Sequence, residues 1–281
     1  MHPHARARPR ELGTIGFQVN TMAGSPSRVM AKRLLCAAAL LAAVAQDIEI
    51  VGDGMGPQHR RPSRHYRLPR SGVVTIAQLP ESDSVGASQW DAGYCLAEYI
   101  EGSSVDAVRC DAARCDVSSR YANATAIALG AGAGGLDVIA LLNSGATVLA
   151  TDGDASVLDQ LASNVRANQK AGAFLGATRL RWADGGDADR AAAALAGALD
   201  LIVAADVSFH TADTRALVDA LDALSRLPGR TPEILLAHTF RFRRDDARFL
   251  AALDDRFART ELPKGPACSD DAALFRLALR H

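Results

Sequence analysis

From residue 124 onward the chain alternates between apolar runs and amphipathic ones. The apolar runs at 124–129, 146–151, 178–183, 199–205 and 233–238 predict strands, and the amphipathic runs at 136–143, 155–168, 188–196, 213–226 and 244–254 predict helices between them. Strands that are apolar at nearly every position, rather than at alternate ones, belong in a parallel sheet covered by helices on both faces. The last two runs, 257–261 and 273–279, are joined by a segment too short for a crossover helix, so they predict an antiparallel hairpin. Upstream, 73–77 reads as a strand, and Gln89-Trp90-Asp91-Ala92-Gly93 opens a helix with Leu96, Tyr99 and Ile100 on one face. The polar stretch 101–123 reads as a loop. The predicted fold is α/β and doubly wound: a seven-stranded, mostly parallel sheet closed by a C-terminal antiparallel hairpin.

Residues 1–70 break this pattern. Arg6, Arg8, Arg10, Arg28, Lys32 and Arg33 face one acid, Glu11, ahead of an apolar run at 34–45 that ends in Ala43-Val44-Ala45. That run matches the hydrophobic region of a signal peptide, with a small-x-small cleavage site, and is shorter than the roughly 20 residues that span a bilayer. It lies far from Met1, so three readings stand: a start at Met22 or Met30, an Arg-rich organelle-targeting segment, or an Ala-rich helix. Residues 55–70, with Arg60, Arg61, Arg64, Arg67 and Arg70 and no acid, read as a solvated basic linker. Contact with nucleic acid is the sharper reading, but Tyr66 is the one aromatic among those arginines, and the linker is preferred. The expected organisation is therefore a targeting or disordered segment with its linker, 1–70, and a folded domain, 71–281.

Composition narrows the function classes. A formal net charge of -1 gives no global attraction to nucleic acid or anionic lipid. Hydrophobic residues at 48% suit a soluble core, and aromatics at 5% point to aliphatic packing. Five cysteines, with no CxxC pair, indicate neither a disulfide framework nor a zinc site, so reduced thiols, no bound metal and a cytoplasmic location are expected. No HExxH, GxSxG, GKS/T or EF-hand pattern is present.

The chemistry gathers at Gly130-x-Gly132-x-x-Gly135, between a predicted strand and a predicted helix. Glycines there let the backbone approach a ligand, and the helix start behind them presents free N–H groups. Asp152, at the end of the next strand and about 20 residues after Gly132, is placed to take both hydroxyls of an adenosine ribose. The same arrangement serves NAD and S-adenosylmethionine. Trp182, an aromatic placed to stack on adenine, sits with Asp184 at the end of the third strand. Ala205-Asp206-Val207-Ser208-Phe209 follows the fourth, at the carboxyl edge where such sheets bind ligands. Asp206 reads either as a site residue or as a helix N-cap, and Phe209 as a site or a core residue. His238 and His210 read as structural histidines or as bases, and Arg241, Arg243 and Arg244 with Asp245 and Asp246 as a solvated helix start or a grip for an acidic substrate.

With these motifs in order, the chain resembles methyltransferase family 16 of the class I enzymes, which contains protein-lysine methyltransferases. The resemblance covers about 73–279. It rests on Gln89-Trp90-Asp91-Ala92-Gly93, Leu129-Gly130-Ala131-Gly132, Thr151-Asp152 with Asn164-Val165-Arg166-Ala167-Asn168, Leu180-Arg181-Trp182, and Ala205-Asp206-Val207-Ser208-Phe209. It implies a Rossmann-like fold and S-adenosyl-L-methionine as cofactor, held by Trp90, Gly130, Ala131, Gly132, Asp152, Gly153, Trp182 and Ala205. It implies that Asp206 and Phe209 act where a target lysine of a protein substrate enters, with no nucleic acid, no membrane span and a monomeric chain. Two positions depart from the family: Ala128 stands where an acid usually precedes the first glycine by two, and Phe209 replaces the tyrosine of a DxxY motif. Two other function classes remain beside this one, an NAD(P)-dependent oxidoreductase and a non-catalytic S-adenosylmethionine-binding module.

Overall fold

The computed structural model describes residues 57–102, 108–110, 115–117, 119–195, 197–208 and 214–280. The apolar run at 34–45, Phe209 and His210 lie outside the described residues.

The described chain begins with a short turn of helix, then strands β1 (Ser63–Leu68) and β2 (Gly72–Ala77), which pair antiparallel. Helix α1 (Asp91–Gly102) follows, then a small hairpin of β3 (Val108–Cys110) and β4 (Cys115–Val117). The doubly wound part comes next: β5 (Thr125–Leu129), α2 (Leu136–Asn143), β6 (Thr147–Asp152), α3 (Leu158–Asn168), β7 (Ala173–Arg179), α4 (Gly185–Ala194), β8 (Leu201–Ala205), α5 (Thr214–Ser225), β9 (Glu233–Thr239) and α6 (Arg243–Asp254). Strands β10 (Phe257–Glu261) and β11 (Ala272–Leu279) end it. The seven-stranded sheet has the order β10-β11-β9-β8-β5-β6-β7, parallel from β9 to β7 and antiparallel at β11 and β10.

The apolar strands are two-faced, as a parallel sheet requires. In β5, Ala126 and Ala128 face the core under α1, α2 and the β1–β2 hairpin, while Ile127 and Leu129 face the opposite core with α5 and α6; β8 and β9 alternate in the same way.

Four expectations are corrected. The linker reading of 55–70 fails because β1 lies within it. Its period-two pattern is hidden by a basic residue on the inward face: Arg64 is buried with Tyr66 and Leu68, giving its guanidinium to Asp91 (2.9 Å) and to the Gln89 carbonyl (2.7 Å). The third sheet strand lies about five residues earlier than 178–183. Gly176, at φ +123°, interrupts the apolar run 173–177 and sits at a register shift against β6, the bulge that a strand glycine often marks. The reduced-thiol reading fails for Cys95 and Cys268, which form a disulfide between α1 and the β10–β11 connection across a sequence separation of 173. The predicted loop at 101–123 also contains the β3–β4 hairpin.

Two polar devices bind the N-terminal hairpin to the domain. Asn164 and Asn168, one turn apart on α3, bond the edge of β2: Asn164 takes the Ala77 N–H (2.9 Å) and gives to its carbonyl (2.8 Å), and Asn168 does the same at Thr75 (3.1 and 2.9 Å). Glu101, buried at the end of α1, accepts the Arg70 N–H (2.6 Å), the Ser71 N–H (2.8 Å) and the Ser71 hydroxyl. Removing it strands three donors, so Glu101→Ala is expected to cost about 3 kcal/mol or more. Urea unfolding measures this, and an unchanged midpoint would refute the role.

Candidate functional site

Strand order reverses at β5 and β8, which are neighbours although β6 and β7, the strands of the opposite half of the sheet, intervene in sequence. In such sheets the crevice outside the carboxyl ends at that point receives the ligand. A cavity of about 620 Å³ opens there, walled by the turn after β5, the end of β6, the turn after β7, the end of β8 and the loop before α1.

The glycine turn needs its glycines for space as well as for backbone freedom. Gly130 and Gly132 both adopt φ +61°, and a Cβ would lie 2.8 Å from a Val207 methyl at the first and 2.9 Å from the Gly86 carbonyl at the second. The turn is pinned by bonds from Ala131 N–H to the Thr151 carbonyl (2.9 Å) and from Ala133 N–H to the Gly86 carbonyl (2.6 Å). Asp152 ends β6 and supports the same turn, one carboxylate oxygen accepting the Gly132 N–H (2.8 Å) and the other the Asp154 N–H (2.9 Å). Burial pushes its carboxyl up, and these backbone donors partly pull it back. Gly153 and Ala205 also line the cavity.

Trp182 lies in the turn after β7, beyond the strand itself. Its indole N–H is buried without an acceptor among the described residues, in the wall of the cavity. The turn is held by Arg181, which donates from its backbone (3.0 Å) and side chain (2.9 Å) to Asp187 and also pairs with Asp184. Asp184 caps α4 through the Gly186 N–H (3.0 Å), a structural role outside the cavity wall. A glycine cradle, a carboxylate and an aromatic with an unclaimed donor, all on one cavity, fit an adenosine-bearing cofactor.

Asp206, expected at the target side, is the centre of a polar cluster at the end of β8. It has φ +53°, one of two described non-glycine residues with positive φ, and its side chain is 2% exposed. One oxygen accepts the Thr239 N–H (2.8 Å); the other accepts the Thr239 hydroxyl (3.2 Å) and the Arg241 guanidinium (2.7 Å). These partners on β9 and beyond replace the helix N-cap reading. Arg241, with a side chain only 15% exposed, also stacks 5.0 Å from the centre of the Trp90 ring, so it is no solvated helix residue. Trp90 is oriented by its indole N–H bond to the Val85 carbonyl (2.9 Å). Gln89 beside it accepts the Leu136 N–H (3.2 Å), which ties this loop to the start of α2.

His238 is buried and bonded at both nitrogens, to the Ser208 hydroxyl (3.2 Å) and to Asp246 (3.0 Å). Burial pulls its pKa down, and it does not line the cavity: it is a satisfied structural histidine. Asp246 is buried as well and takes the N–H groups of Arg241 (2.9 Å) and Phe242 (2.8 Å), fixing the chain that carries Arg241.

Two wall features escape the sequence reading, the 84–86 loop and Asp137. Asp137 is the one acid in α2, where every other residue but the final Asn143 is apolar, a signal visible in the sequence.

Residues 71–256 match a family described as lysine methyltransferase. Protein N-lysine methyltransferase METTL21A of Mus musculus is 32% identical over 196 residues, 69% of this chain and 78% of that protein. Among solved structures, magnesium protoporphyrin IX methyltransferase (ChlM) from Synechocystis PCC 6803 with bound SAM is 17% identical, over 58% of this chain and 72% of that one, at a TM-score of 0.38. The PH0226 protein from Pyrococcus horikoshii OT3 is 9% identical, over 57% and 84%, at 0.43.

Proposed function

The chain belongs to the lysine methyltransferase family, and from that membership we propose that it transfers a methyl group from S-adenosylmethionine to the side-chain amine of a lysine in a protein partner, with the cavity at the carboxyl edge of the sheet as its site. One observation carries the location. The residues nominated as cofactor contacts, Trp90, Gly130, Ala131, Gly132, Asp152, Gly153, Trp182 and Ala205, come from five separate segments and line one cavity.

Each has a physical role. Asp152 gives one lone pair of each oxygen to a backbone N–H, which leaves others for two ribose hydroxyls. Trp182 offers a ring face for adenine and an unclaimed N–H. Gly130 and Gly132 let the backbone approach. When bound, S-adenosylmethionine supplies a methyl group already activated on a sulfonium, so the chain's own contribution is to position the amine and keep it neutral. Asp206 is the acceptor that orients the incoming amine. Arg241, ion-paired with that carboxylate, offsets its charge, so Asp206 stabilises the ammonium less than a bare carboxylate would. Phe209, outside the described residues, enters this reading only through the Asp206-Val207-Ser208-Phe209 motif.

Calorimetric titration with S-adenosylhomocysteine tests the cofactor assignment. Saturable binding in the micromolar range is expected, with none for NADH. Absence of binding at millimolar S-adenosylhomocysteine would contradict it.

A further inference from the structure

Helix α2 is buried along its whole length, and Asp137 is its second residue. Asp137 lines the cavity, and the residue is only 4% exposed. The helix start accounts for part of this placement, because Asp137 accepts the Val138 N–H (2.9 Å) and N-terminal peptide dipoles favour a negative charge. No cationic side chain pairs with it among the described residues. The carboxyl is lifted to about 6 by burial, opposed only by backbone N–H groups, with no neighbouring charge contributing from the elements packed around it. Above that pH the cavity therefore holds a buried negative charge without a counter-ion, a costly arrangement in an empty protein and a useful one if the ligand brings the cation. Ala128, fully buried in β5, brings no charge to this end of the cavity from the strand side. Gln89 bonds the residue next to Asp137, so the carboxylate lies one residue from the contact that anchors the Trp90 loop.

We propose that Asp137 binds the α-ammonium group of S-adenosylmethionine, supplying the opposite charge from the first turn of α2. The assignment rests on the cavity being the cofactor site. The other charged groups on its walls are Asp152, Asp154, Arg181 and Asp206, and none of them pairs with Asp137. His59 and His238 stand outside the walls.

The test compares two ligands by calorimetry: S-adenosylhomocysteine, and 5′-methylthioadenosine, which keeps the adenosine and the thioether but lacks the amino-acid end. Asp137→Asn is nearly isosteric and is expected to weaken S-adenosylhomocysteine about 10- to 100-fold, as loss of a charged hydrogen bond should, while leaving methylthioadenosine unchanged. A second arm needs no variant. Between pH 7.5 and 5.5 the wild-type preference for S-adenosylhomocysteine over methylthioadenosine should shrink as Asp137 takes up a proton; titration of Asp152 acts on the ribose common to both ligands and cancels from the ratio. Equal weakening of both ligands, no weakening of either, or a preference that does not change with pH would overturn the ammonium assignment. If the wild-type chain binds neither ligand, the cofactor-site reading itself falls, and this proposal with it.

Discussion

Asp152→Ala weakens S-adenosylhomocysteine binding at least about a hundredfold while the chain stays folded. A carboxylate that holds two ribose hydroxyls contributes about 1.5–3 kcal/mol per charged hydrogen bond, and two such bonds correspond to factors of about 10² to 10⁴. The fold survives because the two N–H groups that Asp152 releases, of Gly132 and Asp154, border a cavity that water can enter, and the Gly130–Gly132 turn keeps its bonds to Thr151 and Gly86. Asp152→Asn separates the two jobs of the side chain: it keeps an acceptor for one N–H and loses the second, and its affinity should fall between wild type and alanine. Calorimetry for binding and thermal melting for folding read both effects. Unchanged affinity in Asp152→Ala would remove the ribose contact from the account.

The second large effect is on turnover. Asp206 sits at φ +53°, a region that asparagine tolerates better than most residues, so Asp206→Asn changes the charge with little disturbance of the backbone. The acceptor for the amine is weakened and Arg241 loses its counter-ion, leaving a guanidinium whose Nε already has no partner among the described residues. Loss of a positioning group of this kind lowers kcat by about 10². Binding of S-adenosylhomocysteine should stay within about threefold of wild type, because the nominated ribose and adenine contacts lie on other segments. Single-turnover methyl transfer measures the first quantity and calorimetry the second. A variant with wild-type kcat would show that Asp206 only anchors Arg241.

The parts of the fold that could be read from the sequence are those where one segment carries its own signal. β5, β6, β8 and β9 are apolar on both faces, and the β10–β11 connection is too short for a helix, so the parallel sheet and its closing hairpin are written locally. β7 is displaced because Gly176 splits its apolar run, and β1 is hidden because Arg64 points inward to meet Asp91, a partner 27 residues away. The cofactor side follows the same logic: the glycine turn and Asp152 announce themselves by spacing. The target side does not. Arg241 stands in an Arg- and Asp-rich run that reads as solvated, and only the sheet brings it to Asp206, 35 residues distant. The disulfide joins residues 173 apart, a pairing no spacing rule can suggest. Asp137 lies between these cases. An acid inside an apolar helix is visible in the sequence, but the cavity that explains it is not.

The most direct measurement incubates the purified chain with methyl-labelled S-adenosylmethionine and a cell extract, then identifies the labelled residue by mass spectrometry. A labelled protein carrying the methyl on a lysine Nζ is expected, with the label absent when Asp152→Ala or Asp206→Asn replaces the wild-type chain. Label on a residue other than lysine, or undiminished label with both variants, would contradict it.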